Sequence, residues 1–252
     1  MADDDEIETD PSYGRMTLVE HLTELRRRII ICAVAIVVGA IVGFLLYNRI
    51  LHLLSEPYAD VTKKRCPPNG CKLIATEPLA PFIVRLKVST YSGLIIALPV
   101  VLWQLWRFIT PGLNPKEKRY AIPFIVSSVL LFLAGGAVAW LTFPKALDFL
   151  IKIGGGDITT FFTADKYLTF ISLMIVAFGV SFEFPVVLVF LMLARVLKTS
   201  TLRKYRRHAA VGITAFAAVI TPSQDPYSLF FMAAPMYLFY EGSILIGRML
   251  KR

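Results

Sequence analysis

Histidine and cysteine are scarce in this chain, three of each among 252 residues, and those present are scattered. His21, His52 and His208 offer no paired ligands inside an apolar segment, which excludes a haem subunit with two intramembrane ligand pairs. Cys66 and Cys71 have no neighbouring His and so do not complete the four-ligand set of a zinc site. The Gly-rich phosphate loop, the GxSxG elbow and the HExxH helix are missing too. No metal or cofactor is expected, and the chain does not read as an enzyme. Charge is thin, at 18% of residues. No internal repeat stands out, which weighs against a secondary transporter.

Apolar residues, by contrast, make up 56% of the chain, which excludes disorder and fits an all-α membrane protein. Six apolar stretches run over Ile29–Tyr47, Val88–Ile109, Ala121–Phe143, Tyr167–Ala194, Ala209–Ile220 and Ser228–Ile246. A helix needs about 20 apolar residues to cross a bilayer. Four stretches meet that length, the sixth about meets it, and the fifth falls short. The fourth reads as one unbroken span. The first has no small-residue cleavage site after it and reads as a first span, not a signal peptide.

The formal charge of +9 does not point to nucleic acid, because the basic residues are sorted by loop. With six spans both termini share one side. Most of the 27 Lys and Arg fall there: Arg15 and Arg26–Arg28, Arg107–Arg119, Arg195–Arg207, and Arg248–Arg252. Excess Lys and Arg marks the cytoplasmic side, so both termini are expected inside. Trp103 and Trp106 at the inner end of span 2, and Tyr47 and Trp140 near outer ends, suit the headgroup level.

Residues 1–14 are acidic and read as a disordered tail, leaving 15–252 as a single six-span domain. Thr17 and Glu20 form a capping-box pattern. Leu18, Leu22, Leu25 and Ile29 then follow at helical spacing, so a short amphipathic helix on the inner surface should lead into span 1. The stretch 48–87 reads as a long, proline-rich outer loop, with a helix starting near Ala80. Cys66 and Cys71 flank a Pro-Pro-Asn-Gly turn on the outer side, where either a disulfide or two free thiols can stand.

The carboxylates carry the functional signal. Glu183, in Phe-Glu-Phe-Pro, falls well inside span 4, where an acid costs about 2.5–3.5 kcal/mol to insert. It is either hydrogen-bonded within the bundle or set in a functional groove. Glu241 lies in the inner half of span 6 and either pairs with a loop Arg or serves a partner. Glu24 can pair with Arg28 at i,i+4, and Glu117 sits among Lys116, Lys118 and Arg119. Alternatively both are recognition points for a guanidinium, which a carboxylate binds in a two-bond fork that an ammonium cannot match.

Taken in order, Glu20-His-Leu-Thr-Glu24-Leu-Arg26, Glu56-Pro57, Thr76-Glu-Pro78, Pro99–Phe108 with its Leu-Trp-Gln-Leu-Trp, Pro111–Arg119, Ala177–Pro185, Thr221-Pro222 with Asp225, and Pro235–Glu241 resemble the TatC family. That family supplies the six-span subunit of the twin-arginine protein translocase. The resemblance covers nearly the whole chain apart from the acidic tail and the Cys-bearing insert. It implies a curved, glove-like helical wall with short fifth and sixth helices. It implies a non-enzymatic receptor and scaffold in the bacterial cytoplasmic membrane that binds twin-arginine signal peptides of folded cargo. Its implied partners are TatA- and TatB-type single-span subunits, the lipid bilayer and further copies of itself. By the same resemblance Glu24 and Glu117, with Arg26 and Arg119, belong to the peptide site. Glu183, Asp225 and Glu241 belong to a groove or partner contact. The chain departs from the pattern at Leu229, where a polar residue is frequent, and around Asp225. The other readings are a small-solute transporter using Glu183 and, last, an intramembrane enzyme.

Overall fold

The computed structural model describes residues 18–62, 73–109, 121–153, 162–194, 196–223 and 225–249. Cys66, Cys71, Glu117, Arg119, the acidic tail and Thr17 of the capping box lie outside them. The described residues form helices joined by short turns, with one isolated bridge between Ile74 and Thr163. In chain order these are α1 (Leu18–Leu45), α2 (Tyr47–Thr62), α3 (Ala80–Ile109), α4 (Ala121–Ile153), α5 (Ala164–Ser181), α6 (Phe184–Leu193), α7 (Thr199–Lys204), α8 (Arg206–Ile220) and α9 (Pro226–Met249).

Among the described residues five segments are long and apolar enough to cross a membrane: α1, α3, α4, α5 with α6, and α9. Their outward side chains are apolar. On α1, Ile30, Val34, Val37, Val38, Ile41 and Leu45 are all more than half exposed. So continuous an apolar surface needs hydrocarbon around it. The chain is a multi-pass membrane protein.

The expected amphipathic helix and span 1 are one continuous helix, α1, because no Gly or Pro interrupts residues 18–38. α1 packs chiefly on α3. The approach is close because both helices lack side chains where they cross. A Cβ on Gly39 would lie 2.5 Å from the Gly93 carbonyl oxygen, and one on Gly93 would collide with the Ala40 backbone. Without a hydrophobic driving force between helices in lipid, such close van der Waals contact is what holds them.

The loop expected over 48–87 is largely helical. α2 occupies Tyr47–Thr62 because Leu54, Pro57, Tyr58 and Thr62 recur at helical spacing and bury one face. Glu56-Pro57 therefore lies within a helix and not in a loop. The helix expected near Ala80 does begin there. This end is tied to α5 by the Tyr167 hydroxyl, which donates to the Leu54 carbonyl (2.9 Å), and by the Lys87–Asp165 ion pair (2.7 Å).

Two spans differ from expectation. Span 4 is not continuous: α5 ends at Ser181 and α6 restarts at Phe184. Pro185 has no N–H to give the Ser181 carbonyl and its ring crowds the preceding turn, so the helix kinks there. Across the kink the Glu183 N–H bonds the Val180 carbonyl, three residues back (3.1 Å). Of the two helices the resemblance makes short, only α8 is so, with 15 residues against 24 in α9. α8 adds Arg206-Arg207-His208 to the expected apolar Ala209–Ile220. Trp106, expected at the headgroup level, is buried instead, stacked on Phe124 (4.7 Å) with Phe190 edge-on (5.2 Å). Trp103 is the exposed ring of the pair.

Candidate functional site

The start of α1 meets the end of α3. His21 stacks on Phe108 at 4.5 Å, which seats the first turns of α1 against α3. One turn further along, Glu24 and Arg28 face the same neighbour. The Arg28 Nε donates to Glu24 Oε1 (3.1 Å), as does its Nη2, while Nη1 donates to the Gln104 side-chain oxygen on α3 (3.3 Å). The second carboxylate oxygen, Glu24 Oε2, is buried with no hydrogen-bond partner. The helix pair allowed by the sequence is thus present, yet it consumes only half of the carboxylate. Arg26 points away and is exposed. Gln104 was legible in the Leu-Trp-Gln-Leu-Trp run but nothing in its spacing marked it as the residue opposite Arg28.

Glu183 sits at the kink between α5 and α6, partly buried. Ser128 of α4, itself buried, offers its side chain a hydrogen bond. Glu183 Oε1 is left without a partner. The kink frees the local backbone, and the acid stands where the helix is least regular. Ser128 was not singled out from the sequence; a Ser-Ser pair in an apolar run gives no signal of its contacts.

Asp225 is buried and accepts the Ser228 N–H (2.8 Å), three residues on, which is the bond of a helix cap at the start of α9. Glu241 pairs with Arg206 across α8 and α9 (2.7 Å), and the Tyr237 hydroxyl donates to its other oxygen (3.4 Å). The nearby Tyr240 hydroxyl donates to the Leu202 carbonyl (2.7 Å), fixing α9 against α7. The structure therefore gathers Glu24 with Arg28 and Gln104, and separately Glu241 with Arg206; Glu183 meets Ser128, and Asp225 caps its own helix at Ser228. Among the described residues no group of three His, Cys, Asp or Glu is placed to hold a metal.

This is a polytopic helical membrane protein. Its sequence matches the profile described as TatC: Sec-independent protein translocase protein (TatC) over residues 20–235. A protein of Frankia casuarinae named Sec-independent protein translocase protein TatC is 38% identical over 240 residues, covering 93% of this chain and 66% of the relative. The protein of the same name from Aquifex aeolicus is 37% identical over 94% of this chain and 97% of its own. The one from Escherichia coli K12 is 35% identical over 92% and 88%. A crystal structure of the twin arginine translocase receptor TatC in DDM superposes with a TM-score of 0.75 at 37% identity, covering 90% of this chain and 99% of that one. The chain belongs to the TatC family.

Proposed function

We propose that this chain is the receptor and core scaffold subunit of a twin-arginine translocase, a non-enzymatic component that binds the paired arginines of signal peptides on folded cargo. The observation that carries this reading is the unpaired, buried Glu24 Oε2, on a carboxylate whose other oxygen holds the same Arg28 that Gln104 anchors. A buried carboxylate oxygen without a partner is costly, and an arriving guanidinium removes that cost. Arg28 holds Glu24 Oε1, so the oxygen left free faces a fixed direction. A second arginine then needs a second acid, and Glu117 with Arg119 supplies it from the connection between α3 and α4. Arg26, exposed on the same turn as Glu24, repels loosely bound cations.

In this reading the protein crosses the cytoplasmic membrane six times with both termini inside. α8 crosses despite its length, about 22 Å at 1.5 Å per residue, by thinning the bilayer around it. The groove acid Glu183 accepts a polar group from a TatA- or TatB-type partner helix, and Asp225 and Glu241 shape the helices beside it. Residue 203 should accept a cysteine label only from the inside.

Site-specific crosslinking tests the reading. A twin-arginine signal peptide should crosslink to a photoreactive residue at position 24 and at position 117, and a Lys-Lys peptide far less. Crosslinks confined to α8 and α9 would move the receptor site elsewhere.

A further inference from the structure

We propose that the cavity between the start of α8 and the end of α9 holds the phosphodiester headgroup of one anionic phospholipid. The cavity encloses about 290 Å³ and is lined by Arg206, Glu241, Gly242, Ile244, Leu245 and Arg248. It carries two guanidiniums against one carboxylate. Glu241 answers Arg206, but Arg206 Nε is buried with no partner. Arg248 lies seven residues beyond Glu241, about 10 Å along the helix. No carboxylate among the described residues pairs with it. Basic pockets between spans attract anionic headgroups.

Gly242 leaves room for an occupant. Glycine within a helix is disfavoured relative to alanine, and inside a membrane bundle it normally marks close approach. A Cβ built on Gly242 meets no atom within 4 Å. Among the described residues nothing fills that space, so it is open to an occupant. An apolar helix seated there would bury Arg248, now exposed, without an anion, which is strongly unfavourable. A phosphodiester supplies the anion in a geometry that guanidinium matches. Leu238, Leu245 and Met249, each more than half exposed, follow on the same face at spacings of seven and four. They give the acyl chains an apolar track, which free phosphate would not use.

The test is native mass spectrometry of the full chain in neutral detergent with phosphatidylglycerol, phosphatidylcholine or inorganic phosphate added. Phosphatidylglycerol should remain bound where phosphatidylcholine dissociates. Arg248→Gln should weaken that binding about fivefold, the scale of one cation at an anionic surface. Gly242→Leu, which fills the space and keeps every charge, should weaken it at least as much. Arg203→Gln, a cation outside the cavity, should leave it unchanged. Should Gly242→Leu fail to fold, Arg248→Glu reports the same contact. Equal losses for Arg203→Gln and Arg248→Gln would reduce the effect to diffuse surface attraction and overturn the site. Displacement of the lipid by millimolar phosphate would overturn the lipid assignment. Retention of phosphatidylglycerol by Gly242→Leu, with loss of a co-purifying single-span protein, would make this a helix-docking face instead.

Discussion

Two carboxylates in this molecule each hold an arginine, and the two pairs do different things. Glu24 and Arg28 stand on one helix, one turn apart, with Gln104 of α3 fixing the far side of the guanidinium. Glu241 and Arg206 stand on different helices. The first pair leaves Glu24 Oε2 unpartnered and buried; the second engages both oxygens of Glu241, one with Arg206 and one with Tyr237. A pair within a helix adds little to the fold, because the helix already holds its members in register. A pair between helices ties two elements together. In the proposed reading the same chemistry serves as a receptor at one position and as a brace at the other, and the geometry of the partner decides which.

The largest disturbance should come from beneath the first pair. Gly93→Leu forces a side chain into the Ala40 backbone and pushes α1 from α3. Overpacking of this kind costs about 1–3 kcal/mol. It should lower the melting temperature and, by parting Arg28 from Gln104, abolish signal-peptide binding as well. A melting curve and a binding isotherm on the same sample check both.

Next comes the receptor acid itself. Glu24→Gln should weaken binding of an Arg-Arg peptide by tenfold or more, since a hydrogen bond to a charged group is worth about 1.5–3 kcal/mol. The melting temperature should not change. Gln104→Leu should act through Arg28: with its anchor on α3 lost, the guanidinium can swing to cover Glu24 Oε2, and peptide affinity should fall severalfold without loss of fold. Titration calorimetry of the two variants should rank them in that order, and equal affinities for wild type and Gln104→Leu would remove Gln104 from the account. The smallest effect belongs to the brace. Glu241→Gln should cost no more than about 1 kcal/mol, because the pair is partly exposed, and should leave peptide affinity untouched.

The fold was legible in the sequence to the extent that a hydrophobic run announces a span. The shortness of α8 could be read directly, since Arg206–His208 and Thr221-Pro222 bound its apolar part. The kink at Pro185 was equally readable, because proline cannot continue the ladder, yet the long apolar run over residues 167–194 masked it. α2 was read as a loop because Pro57 and its polar residues outweighed a one-sided pattern at Leu54 and Tyr58. At the receptor end, Glu24 and its i,i+4 partner followed from spacing alone. Gln104 did not, since 76 positions separate it from Arg28 and only the α1–α3 crossing brings them together. The cap role of Asp225 was similarly hidden until the start of α9 was placed.

The central claim is that the free oxygen of Glu24 receives an arginine while Glu241 only braces the bundle. The direct measurement is the affinity of one twin-arginine signal peptide for the wild-type chain, Glu24→Gln and Glu241→Gln, side by side in the same detergent. The account predicts a loss of tenfold or more for Glu24→Gln and none for Glu241→Gln, on the charge-assisted bond strength given above. Equal affinity for wild type and Glu24→Gln, or a larger loss at Glu241→Gln, would contradict it.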